Sequence, residues 1–375
     1  MPGFADDRFS SVAAVFEAGL AGGAEVGASL CITVDGETVV DLWGGFADAA
    51  RTRPWQAETI VNVYSCTKTM TALTALLLAE RGELDLAAPV KRYWPEFAAN
   101  GKDQVTVAHL LSHSAGLSGW AEPITVDDLY DWDSATALLA GQAPFWTPGT
   151  ASGYHVLTQG YLVGEVVRRV AGRTVGRVFR SEIAEPLGAD FHIGLPASED
   201  ARVAEMIPPA TAATPFDEPT EVQLNAATNP VLDVAAVTAS RAWRGAEIPA
   251  ANGTGNARSI ARVHSALACG GAIDGVRLLS EAMLDRIVEE QIRGTDVFSD
   301  SPARFGMGFG LATELTPFPN PRTFFWGGWG GSIVVIDRDL RMSFAYAMNR
   351  MAPELIGDVR GAGVVLGAYT ALAGL

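Results

Sequence analysis

The strand-like runs of this chain lie at its two ends, and a long helical stretch separates them. Residues 28–34 and 37–43 are two β-rich runs around Asp35-Gly36, a hairpin signal, and they close on Gly44-Gly45. Four more β-like runs come late, at 307–313, 323–326, 332–336 and 341–348. Residues 8–21, 257–270 and 280–292 have helical texture, and 353–374 reads as a closing helix. From about 85 to 190 helices alternate with Pro and Gly, at 105–111, 127–139 and 159–171. Residues 196–250 hold many Pro, Ala and Thr with little periodicity, and read as a long excursion with short strands covering a cleft. A sheet fed from both termini predicts an α/β (α+β) domain built from residues 1–84 and 251–375. A mainly helical domain, 85–250, is inserted in it. At 375 residues the chain is long enough for both.

The chemistry begins at Val63-Tyr64-Ser65-Cys66-Thr67-Lys68. An Ala/Leu-rich run follows from Thr71 to Ala79, so a helix starts just behind Ser65, and Gly82 is placed to stop it. At a helix N-terminus, free N–H groups and the dipole favour developing negative charge. Lys68 follows one turn later on the same face, a base beside a hydroxyl. Only three lysines accompany 24 arginines, and Lys68 alone of them stands at the head of so apolar a run. A Ser-x-x-Lys spacing also fits an N-capping serine with a solvated lysine, so these four residues alone leave both readings open.

A net charge of −16 repels phosphate backbones and anionic lipid, which argues against nucleic-acid and membrane partners. Cys31, Cys66 and Cys269 are odd in number and widely spaced. They offer neither a disulfide framework nor metal-ligand spacing, which fits a reducing compartment; no metal or cofactor is expected. Cys66 reads as packing. No basic leader and no long uncharged apolar window are present, so a cytoplasmic location is expected.

Further motifs stand in order along the chain: Leu110-Leu111-Ser112-His113-Ser114-Ala115-Gly116-Leu117, then Pro148-Gly149-Thr150 with Tyr154, then Trp326-Gly327-Gly328. With Ser65-Cys66-Thr67-Lys68 they resemble the serine β-lactamase/penicillin-binding-protein superfamily. Within it the chain resembles class C β-lactamases and family VIII carboxylesterases. The resemblance runs from the Asp35-Gly36 hairpin to Asn349-Arg350-Met351. It implies an antiparallel sheet flanked by helices with an inserted helical domain, and an acyl-enzyme on Ser65. It also implies Lys68 and Tyr154 as the base/acid pair, and an oxyanion hole from the backbone N–H groups of Ser65 and Trp329. Trp326, Gly327 and Gly328 would line the substrate cleft, and Trp120 and Trp146 are further aromatic candidates for it. His113 reads as structural, His155 is left open, and Asn252-Gly253 reads as a turn.

Two departures bear on substrate. Val156 stands where lactamases carry an Asn, and Trp326-Gly327-Gly328 stands where they carry Lys-Thr-Gly. Both remove polar contacts that a β-lactam would use. The expected activity is therefore hydrolysis of short-chain or small aromatic esters, with a small-molecule ester as partner. The alternatives are β-lactamase, D-peptidase, amidase or transacylase chemistry on the same residues, or a sensor without turnover.

Overall fold

The computed structural model describes residues 2–209, 216, 218–354 and 358–373. Strands β1 (Gly3–Ala5), β2 (Gly27–Val34), β3 (Glu37–Gly45), β4 (Ile292–Thr295), β5 (Pro302–Phe305), β6 (Gly310–Leu311), β7 (Thr323–Gly327), β8 (Ile333–Asp337) and β9 (Met342–Met348) form one sheet. Its order is β1-β3-β2-β9-β8-β7-β6-β5-β4, antiparallel throughout. Asp35 and Gly36 turn β2 into β3 with φ of 51° and 87°, the pair of positive values that a two-residue hairpin requires.

Period-two alternation gives the sheet two apolar faces. Phe325, Val335, Phe344, Ile32 and Val40 sit in register across five strands. They pack under Phe9, Val12 and Phe16, on and just before helix α1 (Ser10–Ala21), and under residues of a helix near the C-terminus such as Val364 and Ala368. The adjacent row, Trp326, Val334, Ala345 and Cys31, faces the opposite way and belongs to the larger core. That core also holds helices α2 (Thr67–Glu80), α3 (Thr158–Ala171) and α4 (Ala257–Ala268); the closing helix on the other face is α5 (Val359–Leu372). From Thr67 to Leu78 every residue of α2 is buried, as befits a helix packed on all sides. It ends at Glu80, where Gly82, at φ 73°, donates its N–H to the Ala79 carbonyl.

The stretch 196–250 departs from expectation. Among its described residues it carries short helices, Glu221–Thr228, Val234–Ala239 and Arg241–Gly245, rather than strands. Each starts on a side-chain cap: Thr220, which forms a capping box with Gln223, then Asp233, then Ser240. Caps rather than periodicity define these helices, which are too short to show a period. Residues 210–215 and 217 of the stretch lie outside the described residues, as do 355–357 and 374 of the closing helical run. The run 280–292 splits into a helix, Glu281–Val288, and strand β4, and the run 307–313 contributes only Gly310–Leu311. Among the described residues, no helix is long and apolar enough to cross a membrane.

Candidate active site

Ser65 sits in a single 3-10 turn, Tyr64–Cys66, that leads directly into α2. Tyr64, just before it, has φ 44°, a left-handed backbone that a non-glycine residue adopts only where its surroundings enforce it. The surroundings are visible. Val63 donates its N–H to the Gly253 carbonyl at 2.9 Å and its carbonyl accepts from the Ser332 hydroxyl at 2.9 Å. The Gly253 N–H in turn bonds Thr67 Oγ1 at 2.8 Å. The turn is clamped from both sides.

The structure brings Ser65, Lys68 and Tyr154 together. Ser65 Oγ lies 3.2 Å from Lys68 Nζ and 2.6 Å from the Tyr154 hydroxyl. Lys68 is wholly buried, and its Nζ also donates to the Val156 carbonyl at 2.7 Å and the Ala250 carbonyl at 3.0 Å. It stands 4.8 Å from the centre of the Tyr154 ring. Burial pushes the Lys68 ammonium well below the ordinary lysine value. Burial pushes the Tyr154 phenol up, and the bond to the Ser65 hydroxyl pulls it back only in part. Burial thus favours the neutral form of each, an amine and a phenol. A neutral amine that gives its two N–H groups to the two carbonyls keeps its lone pair for the Ser65 hydroxyl. Burial also drives the Cys66 thiol up to about 12, which leaves it an inert packing group.

Tyr154 is held by a residue that no motif marked. Asp296 is 1 % exposed, and its Oδ1 accepts the N–H groups of Tyr154, Phe298 and Ser299 at 3.0–3.1 Å. It staples the Tyr154 segment to the loop after β4. Asn252 does similar work opposite, accepting from Ile248 N–H and donating to the Trp243 and Ala246 carbonyls. That loop presents the Ala250 carbonyl to Lys68. The turn read at Asn252-Gly253 therefore builds part of the site.

His113 and His155 pack behind Tyr154. His155 gives Nδ1–H to the Gly153 carbonyl and accepts the Leu117 N–H on Nε2, and its own N–H bonds His113 Nδ1. Burial lowers the His155 imidazole to about 4 and holds His113 well below its ordinary value, so both are neutral supports. The His113 ring stacks on Trp326, 5.3 Å between centres, and meets Tyr154 edge-on at 5.0 Å.

The opposite wall is the end of β7. Trp326 lies 5.9 Å from Tyr154, and Trp329 meets Tyr64 edge-on at 5.4 Å. Gly328 is obligatory: a β-carbon there would stand 2.3 Å from the Val63 carbonyl oxygen. Among the described residues no acceptor takes the Trp329 backbone N–H. The other two tryptophans lie elsewhere. Trp120 is core, not cleft: it is 1 % exposed, bonds the Ala135 carbonyl and packs on Tyr161. Trp146 bonds the Ala151 carbonyl and lies over Gly153, where a β-carbon would come within 2.3 Å of its ring. It buttresses the segment that carries Tyr154.

Comparison with known proteins now decides the lineage. Residues 12–367 match the Beta-lactamase family. The chain belongs to that family. Over 99 % of both chains it is similar to a family VIII carboxylesterase of known structure, with 45 % identity and a TM-score of 0.93. A penicillin-binding protein homologue from Caulobacter crescentus is 40 % identical with a TM-score of 0.94, again over 99 % of each chain. The Esterase/beta-lactamase LipL of Mycobacterium tuberculosis is 37 % identical across 94 % of this chain and 84 % of its own. The β-lactamase fold expected from the motifs is therefore the fold observed.

Proposed function

We propose that this member of the Beta-lactamase family is a serine carboxylesterase acting on short-chain or small aromatic esters. The observation that carries the reading is the buried serine hydroxyl shared between a buried amine, whose neutral form burial favours, and a buried phenol. Ser65 Oγ attacks the ester carbonyl carbon and yields its proton to Lys68, and the C=O electron pair moves onto oxygen. The backbone N–H groups of Ser65 and Trp329 receive that oxyanion. Collapse of the intermediate expels the alcohol oxygen, which takes a proton from the Lys68–Tyr154 pair and leaves an acyl-enzyme. Water then attacks the acyl carbon, gives a proton to the same pair, and releases the acid. Ser65 regains its proton as its oxygen departs.

Substrate preference rests on what surrounds this centre. The Val156 side chain brings no amide to the substrate, while its carbonyl is already committed to Lys68. Trp326 presents an indole where a cation would serve a β-lactam carboxylate. A neutral ester needs neither group. Initial rates on p-nitrophenyl acetate and butyrate, nitrocefin and a D-Ala-D-Ala peptide, for the wild type and Ser65→Ala, test the reading. Ester kcat/KM should exceed that on nitrocefin by about a hundredfold or more, and Ser65→Ala should lose it. Better turnover of nitrocefin or of the peptide would move the assignment to lactamase or peptidase chemistry.

A further inference from the structure

The turn from Gly328 to Gly331 joins β7 to β8 and carries Trp329. Both peptide groups after Trp329 are pinned. The Gly330 N–H donates to the Glu354 carbonyl at 3.1 Å. The Gly330 carbonyl accepts twice, from the Ala352 N–H at 2.9 Å and from Arg360 Nη2 at 2.8 Å. Arg360 comes from the first turn of α5, 30 positions later and on the far face of the sheet. It is itself over-determined. Nη1 bonds Glu25 Oε2 at 2.8 Å and the Arg350 carbonyl at 2.9 Å, and Nε bonds Asp358 Oδ2 at 2.8 Å. Glu25 also takes the Tyr346 hydroxyl, and Asp358 takes the N–H groups of Arg360 and Gly361. Glu25 and Asp358 are almost fully buried and the Arg360 side chain is largely so. The approach tolerates no side chain: a β-carbon on Gly331 would fall 2.5 Å from Asp358 Oδ2 and 2.7 Å from Arg360 Nη2.

A buried ion pair is a poor way to gain stability, because desolvation offsets the attraction. Nη1 alone ties α5 to Glu25 in the segment before β2, while Nε and Nη2 both close on Asp358 at the start of the helix itself. The further Nη2 bond to the Gly330 carbonyl serves neither contact and reaches the catalytic turn. We propose that Arg360, oriented by Glu25 and Asp358, is a positioning residue that fixes the Gly328–Gly331 turn and so aims the Trp329 N–H at the oxyanion. The inference rests on the esterase reading above. Its consequence is specific: a donor that acts on the transition state affects kcat, not ground-state binding.

The test uses Arg360→Lys and the double variant Glu25→Gln/Arg360→Met, which removes the cation together with one of its two carboxylates. Rates on p-nitrophenyl butyrate are normalised to active sites titrated with a fluorophosphonate, so that loss of folded protein does not count. Both variants should lose about tenfold or more in kcat per titrated site, with KM unchanged within about twofold. Affinity for a boronic acid, which mimics the tetrahedral intermediate, should fall in the same proportion. Added guanidinium should restore part of the rate in the double variant and none in the lysine variant. If the double variant does not fold, Arg360→Lys carries the same expectation. A kcat per site within about twofold of wild type in the folded variants would overturn the role of Arg360 while leaving the esterase reading intact. An inert wild type that takes no label would instead overturn that reading, and this inference with it.

Discussion

Each member of the Ser65, Lys68 and Tyr154 cluster answers to a different substitution. Lys68→Arg places there a permanently charged group that does not release its proton, so kcat on butyrate esters should fall by about 10³-fold. Tyr154→Phe removes one hydroxyl and should cost about 10²-fold in kcat with the fold intact. The pH profile follows from the direction of the Lys68 shift. Only the unprotonated amine is a base, and burial holds its pKa well below 10.5, so the rising limb of kcat/KM with pH should lie well below the ordinary lysine value. A limb centred near the ordinary lysine value would contradict this. Asp296→Ala strands three backbone donors, each worth about 1–3 kcal/mol when buried and unpaired. It should lower both the denaturation midpoint and kcat, because one of those donors belongs to Tyr154. The sequence offered Ser65 and Lys68 through their spacing, and Tyr154 through the run of motifs around it. It was silent on Asp296 and on the Val156 and Ala250 carbonyls. A carbonyl has no residue signature, and Asp296 acts across 142 positions on a backbone group.

Between elements, the site depends on close backbone approaches that glycine alone permits. Gly160 in α3 lies under the loop that offers Ala250 to Lys68, and a β-carbon there would come 2.4 Å from the Ala250 nitrogen. Gly160→Ala should therefore push that loop away and reduce fluorophosphonate-titratable sites more than it reduces secondary structure seen by circular dichroism. Helix α2 was legible because its apolar run is long and its start and stop residues are explicit. The short helices of 220–245 were not, since helices of five to eight residues repeat too few times to display a period, and their caps are small polar residues common in any loop. Trp120 misled for a related reason. An aromatic residue near a motif looks like a cleft residue until packing shows Tyr161 and the Ala135 carbonyl already occupying its faces.

For the whole molecule, the two-ended sheet was readable from the position of the strand runs and the Asp35-Gly36 turn. Its strand order was not, because β9 pairs with β2 across more than 300 residues. What the assembled core does to its titratable groups sets an acid limit. An unfolded histidine takes up a proton near pH 6.5. His155 and His264 do so only near 4 in the fold, and burial holds His113 well below its ordinary value as well. Between those values the unfolded chain binds more protons, so stability falls as pH falls. Glu25 works the other way, since its carboxyl titrates near 7 in the fold against 4.5 ordinarily. Each histidine so lowered costs up to about 1.4 kcal/mol of stability per pH unit between its unfolded and folded values. His264 packs on Phe309, apart from Ser65. His264→Leu should make that acid dependence shallower by about 1.4 kcal/mol per unit in denaturant titrations, without changing ester turnover.

All of this converges on one bond. Incubation with a fluorophosphonate, followed by intact-mass and peptide mapping, reads it directly. The wild type should gain a single phosphonyl group on Ser65 and lose p-nitrophenyl butyrate hydrolysis in step with labelling, whereas Ser65→Ala should neither label nor hydrolyse. A label on any other residue, or ester hydrolysis by Ser65→Ala at the wild-type rate, would contradict the account.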